Sequence, residues 1–256
     1  MELWAIALLG LAAGALVGLT GSSGVAVVVP ALTYMGFSFQ RAVAASLAVD
    51  VLATSLAVAV YLRAGYVDMG AAAIMGAAAV AGALLGSHIA VRLPGAPLQL
   101  AFAASSAYFA YTSIINAKRG SDVGLMPLVR SMMRRLPHPR ALALAASGGI
   151  GILTSILGTS GGLMFTAVLT ATTDMPIKKA VGTATMAMFI SALGGALAYA
   201  YLGYVSSTAV PMGLVALVSG YFFARLARKL NTRAIYVALA ALFISIAIAS
   251  ALKAVI

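Results

Sequence analysis

Residues 3–34 decide the fold class, and they read LWAIALLGLAAGALVGLT, then GSSG, then VAVVVPALTY. An apolar segment ends at the small polar residues 20–24, and only about ten apolar residues follow. A helix needs about 20 apolar residues to cross a hydrocarbon layer of about 30 Å, so the second segment is too short to span a membrane alone. The stretch therefore predicts a helix that is interrupted inside a membrane protein.

The composition of the whole chain agrees with a membrane protein. Of its 256 residues, 63% are hydrophobic and only 8% are charged, whereas soluble domains carry roughly 25% charged residues. A soluble enzyme, a nucleic-acid-binding protein and a disordered chain are excluded, although the net charge is +11. The chain has no cysteine and two distant histidines, so we expect neither a metal site nor a cofactor. The composition predicts an all-α polytopic protein whose main partner is the lipid bilayer, with no nucleic acid bound.

The interrupted segment occurs twice, which indicates an internal duplication. The first break is residues 20–24 (TGSSG) and the second break is residues 158–162 (GTSGG). Gly21, Ser23 and Gly24 match Gly158, Ser160 and Gly161 at an offset of 137, and after one inserted residue the offset becomes 138. At 138 the matching residues include Ala42 and Ala180, Tyr61 and Tyr199, Tyr66 and Tyr204, and Gly82 and Gly220. One offset over some 60 residues is typical of a repeat. We expect a first membrane repeat over 1–115, a basic linker over 116–140 and a second repeat over 141–256.

Loop charges predict the topology. The linker carries six Lys and Arg residues against the single acid Asp122, and the positive-inside rule places it in the cytoplasm. If the segments 3–34 and 141–170 are hairpins that enter and leave by one face, each half keeps three full crossings. That odd number inverts the second repeat relative to the first and places both termini outside. We expect two inverted-topology repeats, each a broken helical hairpin plus three transmembrane helices. Full crossings of 3–19 and 141–157 are the alternative.

The two breaks are the candidate binding site. A helix begins after each break, so unpaired N–H groups and the positive end of the helix dipole point into the gap. This arrangement suits an anion, and inverted repeats would bring the two breaks together near the midplane. The alternative is that small residues only permit close helix packing, as at Gly10, Gly14 and Gly18. The predicted substrate-binding residues are Thr20, Gly21, Ser22, Ser23, Gly24, Gly158, Thr159, Ser160, Gly161 and Gly162.

Several motifs resemble those of one transporter family. The pattern G-x-x-x-G-L-T-G-x-x-G over 14–24, Pro30 and A-V-A-x-S over 42–46 resemble the TauE/SafE family, as do G-T-S-G-G over 158–162 and A-V-G-T over 180–183. These proteins are sulfite-exporter-like anion permeases, also called toluene-sulfonate uptake permeases. The resemblance implies a plasma-membrane permease, not an enzyme, that moves a small sulfur-containing oxyanion such as sulfite or an organosulfonate. We expect alternating access around the breaks; a passive anion channel is an alternative.

Asp50 is the only acid deep inside a predicted span. A carboxyl group inside the bilayer costs roughly 2.5 to 3.5 kcal/mol on insertion scales and by default marks a functional cavity. We expect Asp50 to couple transport to protons; a structural hydrogen bond to a neighbouring helix is the alternative. Its repeat counterpart is Met188, so the role belongs to one half. The other predicted lining or coupling residues are Ser46, Thr183 and Thr185.

One alternative comes from another functional class. Residues 21–24 and 158–161 both fit G-x-S-G, the nucleophile motif of rhomboid-like intramembrane serine proteases, and His88 follows Ser23 in the order that a Ser/His dyad needs. The duplication of the motif without a second histidine argues against this alternative. His88 itself is expected at the membrane interface, and the tyrosines near helix ends, Tyr199 among them, are expected in the aromatic belts.

Overall fold

A computed structural model describes residues 3–20, 23–119, 139–158, 161–204, 207–227 and 232–255. These residues form ten α-helices and contain no strand. Most of the predicted linker lies outside the described residues. Gly21 and Ser22 of the first break and Thr159 and Ser160 of the second break lie outside them too.

Within the described residues, each half contributes five helices, and in both halves the second helix is the shortest. The first half contains α1 (Leu3–Thr20), α2 (Val25–Tyr34), α3 (Phe39–Arg63), α4 (Met69–Ala90) and α5 (Gly95–Arg119). The second half contains α6 (Pro139–Leu157), α7 (Gly161–Thr172), α8 (Ile177–Tyr201), α9 (Ala209–Ala227) and α10 (Thr232–Val255). A helix interruption followed by a short helix, predicted from the sequence for both halves, is confirmed.

The outer surface of the bundle is apolar. Four helices, α3, α4, α5 and α8, contain stretches that are long and apolar enough to cross a membrane. Large hydrophobic side chains are exposed along the bundle, among them Leu85 at 61%, Leu197 at 62% and Phe222 at 64%. So much exposed apolar surface requires a lipid environment rather than water. The prediction of a multi-pass helical membrane protein is confirmed.

The two halves interlock through reciprocal helix pairs. Helix α1 packs along α9 and α6 packs along α4, while α3 packs on α8 and α5 on α10. Glycines allow the close approach: a Cβ at Gly10 would lie 2.5 Å from the Met212 carbonyl oxygen, and one at Gly14 would overlap the Ser219 hydroxyl. The packing role predicted for Gly10 and Gly14 is thus confirmed.

The sequence in which residues contact each other along two packed helices shows whether the helices run in the same or in opposite directions. Gly182, near the start of α8, lies against Tyr66 just beyond α3, and Gly195, near the end of α8, lies against Leu47 near the start of α3. Helices α3 and α8 are therefore antiparallel.

Helix α4 of the first half relates the directions of two helices of the second half, α6 and α8. Gly82 lies against Gly148 and Gly86 against Ser155, so α4 and α6 run in the same direction. Gly76 lies against Ile190 and Gly194 against Val80, so α4 and α8 do as well. Helices α6 and α8 therefore run in the same direction, with α7 between them in the chain.

The helix ends form two faces of the bundle, named here after one cation on each. At the Arg41 face, the Gln40 amide donates to the carbonyl oxygen of Leu93 at 2.9 Å, and Arg41 shares a pocket with Tyr204. At the Lys179 face, the Lys179 ammonium lies 4.0 Å from the Asp68 carboxylate. These contacts place the α2–α3 and α8–α9 turns at one face and the α3–α4 turn and the start of α8 at the other.

Candidate functional site

The first break holds a carboxylate. Gly24 is the N-cap residue of α2, and its N–H donates to Asp50 Oδ1 at 2.9 Å. The Ser23 hydroxyl donates to the other carboxylate oxygen, Oδ2. The donors that the sequence assigned to an anion therefore bind a carboxyl group of the protein itself, at the positive end of a helix dipole. A structural hydrogen bond to a neighbouring helix was the alternative role predicted for Asp50, and this bond is of that kind.

Burial makes this arrangement energetically significant. Asp50 and Ser23 are each only 2% exposed, and Asp50 lies close to the middle of the 25-residue helix α3. An uncompensated charge at such a place is strongly disfavoured, so hydrogen-bond donors are needed to hold the carboxylate there. Gly24 allows the close packing of α2 on α1, because a Cβ there would lie 2.8 Å from the Cβ of Ala13. Because glycine has no side chain, α2 can pack this close to α1 while the Gly24 N–H still reaches Asp50 on α3.

The second break also lies between a longer helix and a short one, α6 and α7. Gly158 ends α6 with a φ of +64° and donates its N–H to the Thr154 carbonyl oxygen at 2.8 Å; glycine is favoured in this left-handed conformation. Gly161 and Gly162 begin α7 and are buried. Met188, the repeat counterpart of Asp50, is 3% exposed and provides no carboxylate. Position 188 of α8 therefore supplies no counterpart of the Asp50 carboxyl group to the second break.

Tyr199 supports the helix end at the second break, a role that the sequence did not predict. Its placement in an aromatic belt is wrong: Tyr199 is 0% exposed, and its hydroxyl donates to the Ser155 carbonyl oxygen at 2.6 Å. That carbonyl belongs to the last turn of α6, where backbone acceptors have no partner within the helix. The recurrence of tyrosine at positions 61 and 199 was a signal for such a role. Ser155 also carries a buried hydroxyl that has no partner within the described part of the chain.

Within the described residues, the other predicted lining residues, Ser46, Thr183 and Thr185, each form a hydrogen bond to a backbone group. The Ser46 hydroxyl donates to the Val43 carbonyl oxygen at 2.8 Å, and the Thr185 hydroxyl donates to that of Val181 at 2.8 Å. Thr183 Oγ1 accepts the backbone N–H of Asp68 at 3.0 Å and so joins the two halves at the Lys179 face. Thr20 ends α1 immediately before the residues that the structure leaves undescribed. The structure thus brings together Ser23, Gly24 and Asp50 of the predicted site.

The geometry does not form a Ser/His dyad. The ring Nδ1 of His88 lies 2.8 Å from the Leu84 carbonyl oxygen of its own helix, and the residue is exposed. The Ser23 hydroxyl is buried and directed to Asp50. A serine nucleophile needs an adjacent general base, and Ser23 has a carboxylate in that place instead of the imidazole that the protease alternative requires.

The two short helices are connected through the long ones. Helix α2 packs on α3, α7 packs on α8, and α3 packs on α8. In the residues that the structure describes, α2 and α7 make no extensive contact with each other. A single site built from both breaks therefore stays a prediction, and any such site is organised by the α3–α8 pair.

Comparison with known families agrees with the motifs in both halves. The family model described as "Sulfite exporter TauE/SafE" matches residues 6–250, which include both breaks and all but the ends of the chain. The comparisons with curated proteins and with solved structures found no match. A family match over nearly the whole chain, on an all-helical membrane fold, is sufficient for assignment. The chain belongs to the TauE/SafE sulfite exporter family, whose members are transporters and not enzymes.

Proposed function

We propose that the protein is a secondary transporter that moves a small sulfur-containing oxyanion, such as sulfite or an organosulfonate, across the plasma membrane by alternating access. The observation that carries the proposal is the buried carboxylate of Asp50 at the N-terminus of α2, bound by Ser23 and Gly24. A sulfite or sulfonate oxygen is an acceptor of the same kind. The helix starts at the two breaks, residues 20–24 and 158–162, are the proposed substrate-binding elements.

Inverted repeats are part of the proposal, and the helix directions support them. Helices α3 and α8 are repeat counterparts, and they pack against each other in opposite directions. A rotation that superposes antiparallel counterparts has its axis perpendicular to them, which for membrane-spanning helices is an axis in the membrane plane. The parallel directions of α6 and α8 support a hairpin at the second break. Alternating access in such folds is a movement of one repeat against the other.

The charges at the two faces support a cytoplasmic Lys179 face. By their helix ends, Arg41, Arg92 and Lys253 belong to the Arg41 face. More cations belong to the Lys179 face, namely Arg63, Lys118, Arg140, Lys178, Lys179 and Arg225. Because cytoplasmic loops carry the excess of Lys and Arg, we assign the Arg41 face and both termini to the outside.

Direction of transport decides whether a coupling ion is needed. Export of an anion from a negative interior is downhill by roughly 2.3 kcal/mol per charge per 100 mV, whereas uptake is uphill by the same amount. A proton is the proposed coupling ion for uptake, and Asp50 is its proposed carrier. A neutral Asp50 carboxyl would no longer compete as an anion for the Gly24 N–H and the Ser23 hydroxyl, so proton binding and substrate binding would favour each other.

Transport in proteoliposomes tests the proposal. Purified protein is reconstituted, and the entry of labelled sulfite and of methanesulfonate is measured with either the same anion or chloride inside the vesicles. Alternating access predicts saturable entry that internal substrate accelerates. No entry above that of protein-free vesicles would reject the transport function. Entry that does not saturate and ignores internal substrate would indicate a channel.

A further inference from the structure

An open pocket at the Arg41 face lies outside the two breaks. Its volume is about 560 Å³, and residues from both halves line it. The α2–α3 turn and the start of α3 provide one wall, and the α8–α9 turn provides the other. The lining residues are Met35, Gly36, Phe37, Ser38, Arg41 and Tyr204. A guanidinium, a serine hydroxyl and a phenol thus surround one water-accessible space.

Arg41 has the charge that an anion requires. The residue is exposed, and it has no carboxylate partner among the residues that the structure describes. Ser38 is the N-cap of α3, and its hydroxyl oxygen accepts the Arg41 backbone N–H at 3.4 Å. The backbone of Arg41 is therefore fixed at the helix start while the guanidinium keeps its five donors.

The repeat counterpart of Arg41 is a lysine that is paired with an acid. At an offset of 138, Arg41 corresponds to Lys179 and Tyr204 to Tyr66, but Asp68 corresponds to Ser206. The Lys179 ammonium lies 4.0 Å from the Asp68 carboxylate. Lys179 thus has an internal counter-ion, whereas the sequence has an uncharged serine at the position that corresponds to Asp68.

A continuous series of contacts joins the pocket to the second break. The ring of Tyr204 packs edge to face on Tyr199, with centroids 6.1 Å apart and an interplanar angle of 81°. The Tyr199 hydroxyl donates to the Ser155 carbonyl oxygen in the last turn of α6, which Gly158 ends. The wall of the Arg41 pocket is therefore packed against the residue that holds the helix end at the second break.

We propose that the Arg41 pocket is the loading site for the substrate oxyanion at this face. The inference rests on the proposed function and adds a recognition site to it. Arg41 pairs with the sulfite or sulfonate oxygens, and the Ser38 and Tyr204 hydroxyls complete the polar contacts. Met35 and Phe37 provide an apolar wall for the organic group of a sulfonate.

Sided transport kinetics with matched arginine variants test this inference. Arg41→Gln is compared with Arg92→Gln, which removes a cation from the same face outside the pocket. With methanesulfonate or sulfite supplied at the Arg41 face, we expect Arg41→Gln to raise KM about tenfold, as for a lost charge-assisted hydrogen bond, with kcat little changed. Arg41→Lys should restore part of the affinity, and Arg92→Gln should resemble the wild type. KM measured from the Lys179 face should not change.

A second variant, Asp68→Asn at the opposite face, is expected to gain affinity, and a gain cannot result from a loss of folding. Asp68→Asn frees Lys179, so we expect it to lower KM severalfold for substrate supplied at the Lys179 face. Equal KM values for Arg41→Gln and Arg92→Gln, with wild-type transport intact, would overturn the loading site and leave the proposed function standing. A response of Arg41→Gln only to the phosphatidylglycerol content of the vesicles would assign the pocket to lipid headgroups instead. A wild type that neither binds nor moves these anions would overturn both proposals.

Discussion

The two breaks each lie between a longer helix and a short one, and they differ in the side chain that the neighbouring long helix places at the new helix start. At the first break, the N-terminus of α2 binds the Asp50 carboxylate; at the second, Met188 occupies the corresponding position of α8. The carboxyl group beside the helix start is thus present in one half and replaced by a thioether side chain in the other. We expect the first break to provide the coupling group and the second to accept substrate without internal competition.

The largest expected effect comes from filling the breaks. Gly24→Leu introduces a Cβ 2.8 Å from the Ala13 Cβ, and Gly161→Leu introduces one 3.2 Å from Thr154 Cγ2. Both variants should abolish oxyanion transport, because the added side chain obstructs the donors at the helix start. Gly24→Leu should also lower thermal stability more, since overpacking typically costs about 1 to 3 kcal/mol. Melting curves and proteoliposome uptake measure the two effects.

Gly149→Leu is the control for these glycine variants. A Cβ at Gly149, on α6, meets no atom within 4 Å in the described structure, so this variant should transport and melt like the wild type. Normal transport by Gly161→Leu would exclude the second break as a substrate site.

The helix breaks were predictable because they are local features of composition and spacing. Asp50 was also identifiable, since an acid in an apolar span is rare. The bond between Asp50 and Ser23 was not predictable, because 27 residues separate the two. Their pairing depends on how α3 packs against α2. Tyr199 was misplaced because tyrosines at helix ends usually lie at the membrane interface. At a broken helix, an unpaired carbonyl provides an alternative partner inside the bundle.

Neutralising the first break should separate exchange from accumulation. Asp50→Asn retains the shape and an acceptor for the Gly24 N–H but cannot bind and release a proton. We expect this variant to exchange anions across the membrane and to lose accumulation driven by a pH gradient. The measurement is uptake into proteoliposomes with and without an imposed gradient. Undiminished uphill transport would show that Asp50 is structural. A wild type that ignores the gradient would favour potential-driven export.

Transferring the carboxylate to the second break should reproduce the state of the first. Met188→Asp places an acid at the position equivalent to Asp50, where it can compete with substrate for the α7 helix start. We expect oxyanion affinity to fall by about tenfold or more, since a like charge near an anion site costs at least about 1.4 kcal/mol. Met188→Leu controls for lost packing. Equal affinities of the two variants would show that position 188 does not face the bound anion.

Removing single hydroxyls should give smaller and unequal effects. Ser160→Ala removes a predicted donor at the second break and should weaken oxyanion binding by about 1 to 2 kcal/mol. Ser23→Ala should have less effect on substrate affinity, because the Ser23 hydroxyl donates to Asp50. Binding titrations on detergent-solubilised protein compare the two. A larger loss of affinity in Ser23→Ala would reverse the assignment of the two breaks.

The smallest expected effect concerns the support of the second break by Tyr199. Tyr199→Phe keeps the buried ring and its edge-to-face contact with Tyr204 but leaves the Ser155 carbonyl oxygen without its donor. Loss of one partner from a buried hydrogen bond typically destabilises a protein by about 1 to 3 kcal/mol. We expect a lower melting temperature and, because the end of α6 is less well fixed, a reduced substrate affinity.

Tyr201→Phe is the matched control for Tyr199→Phe, since Tyr201 lies on the same helix end and is 88% exposed. Its hydroxyl faces the surroundings of the bundle, so its removal should leave both the melting temperature and the affinity unchanged. If Tyr199→Phe lowers the melting temperature but leaves the affinity intact, Tyr199 stabilises the bundle without positioning the second break. If its affinity falls together with that of Arg41→Gln, the pocket and the break act through the same pair of tyrosines.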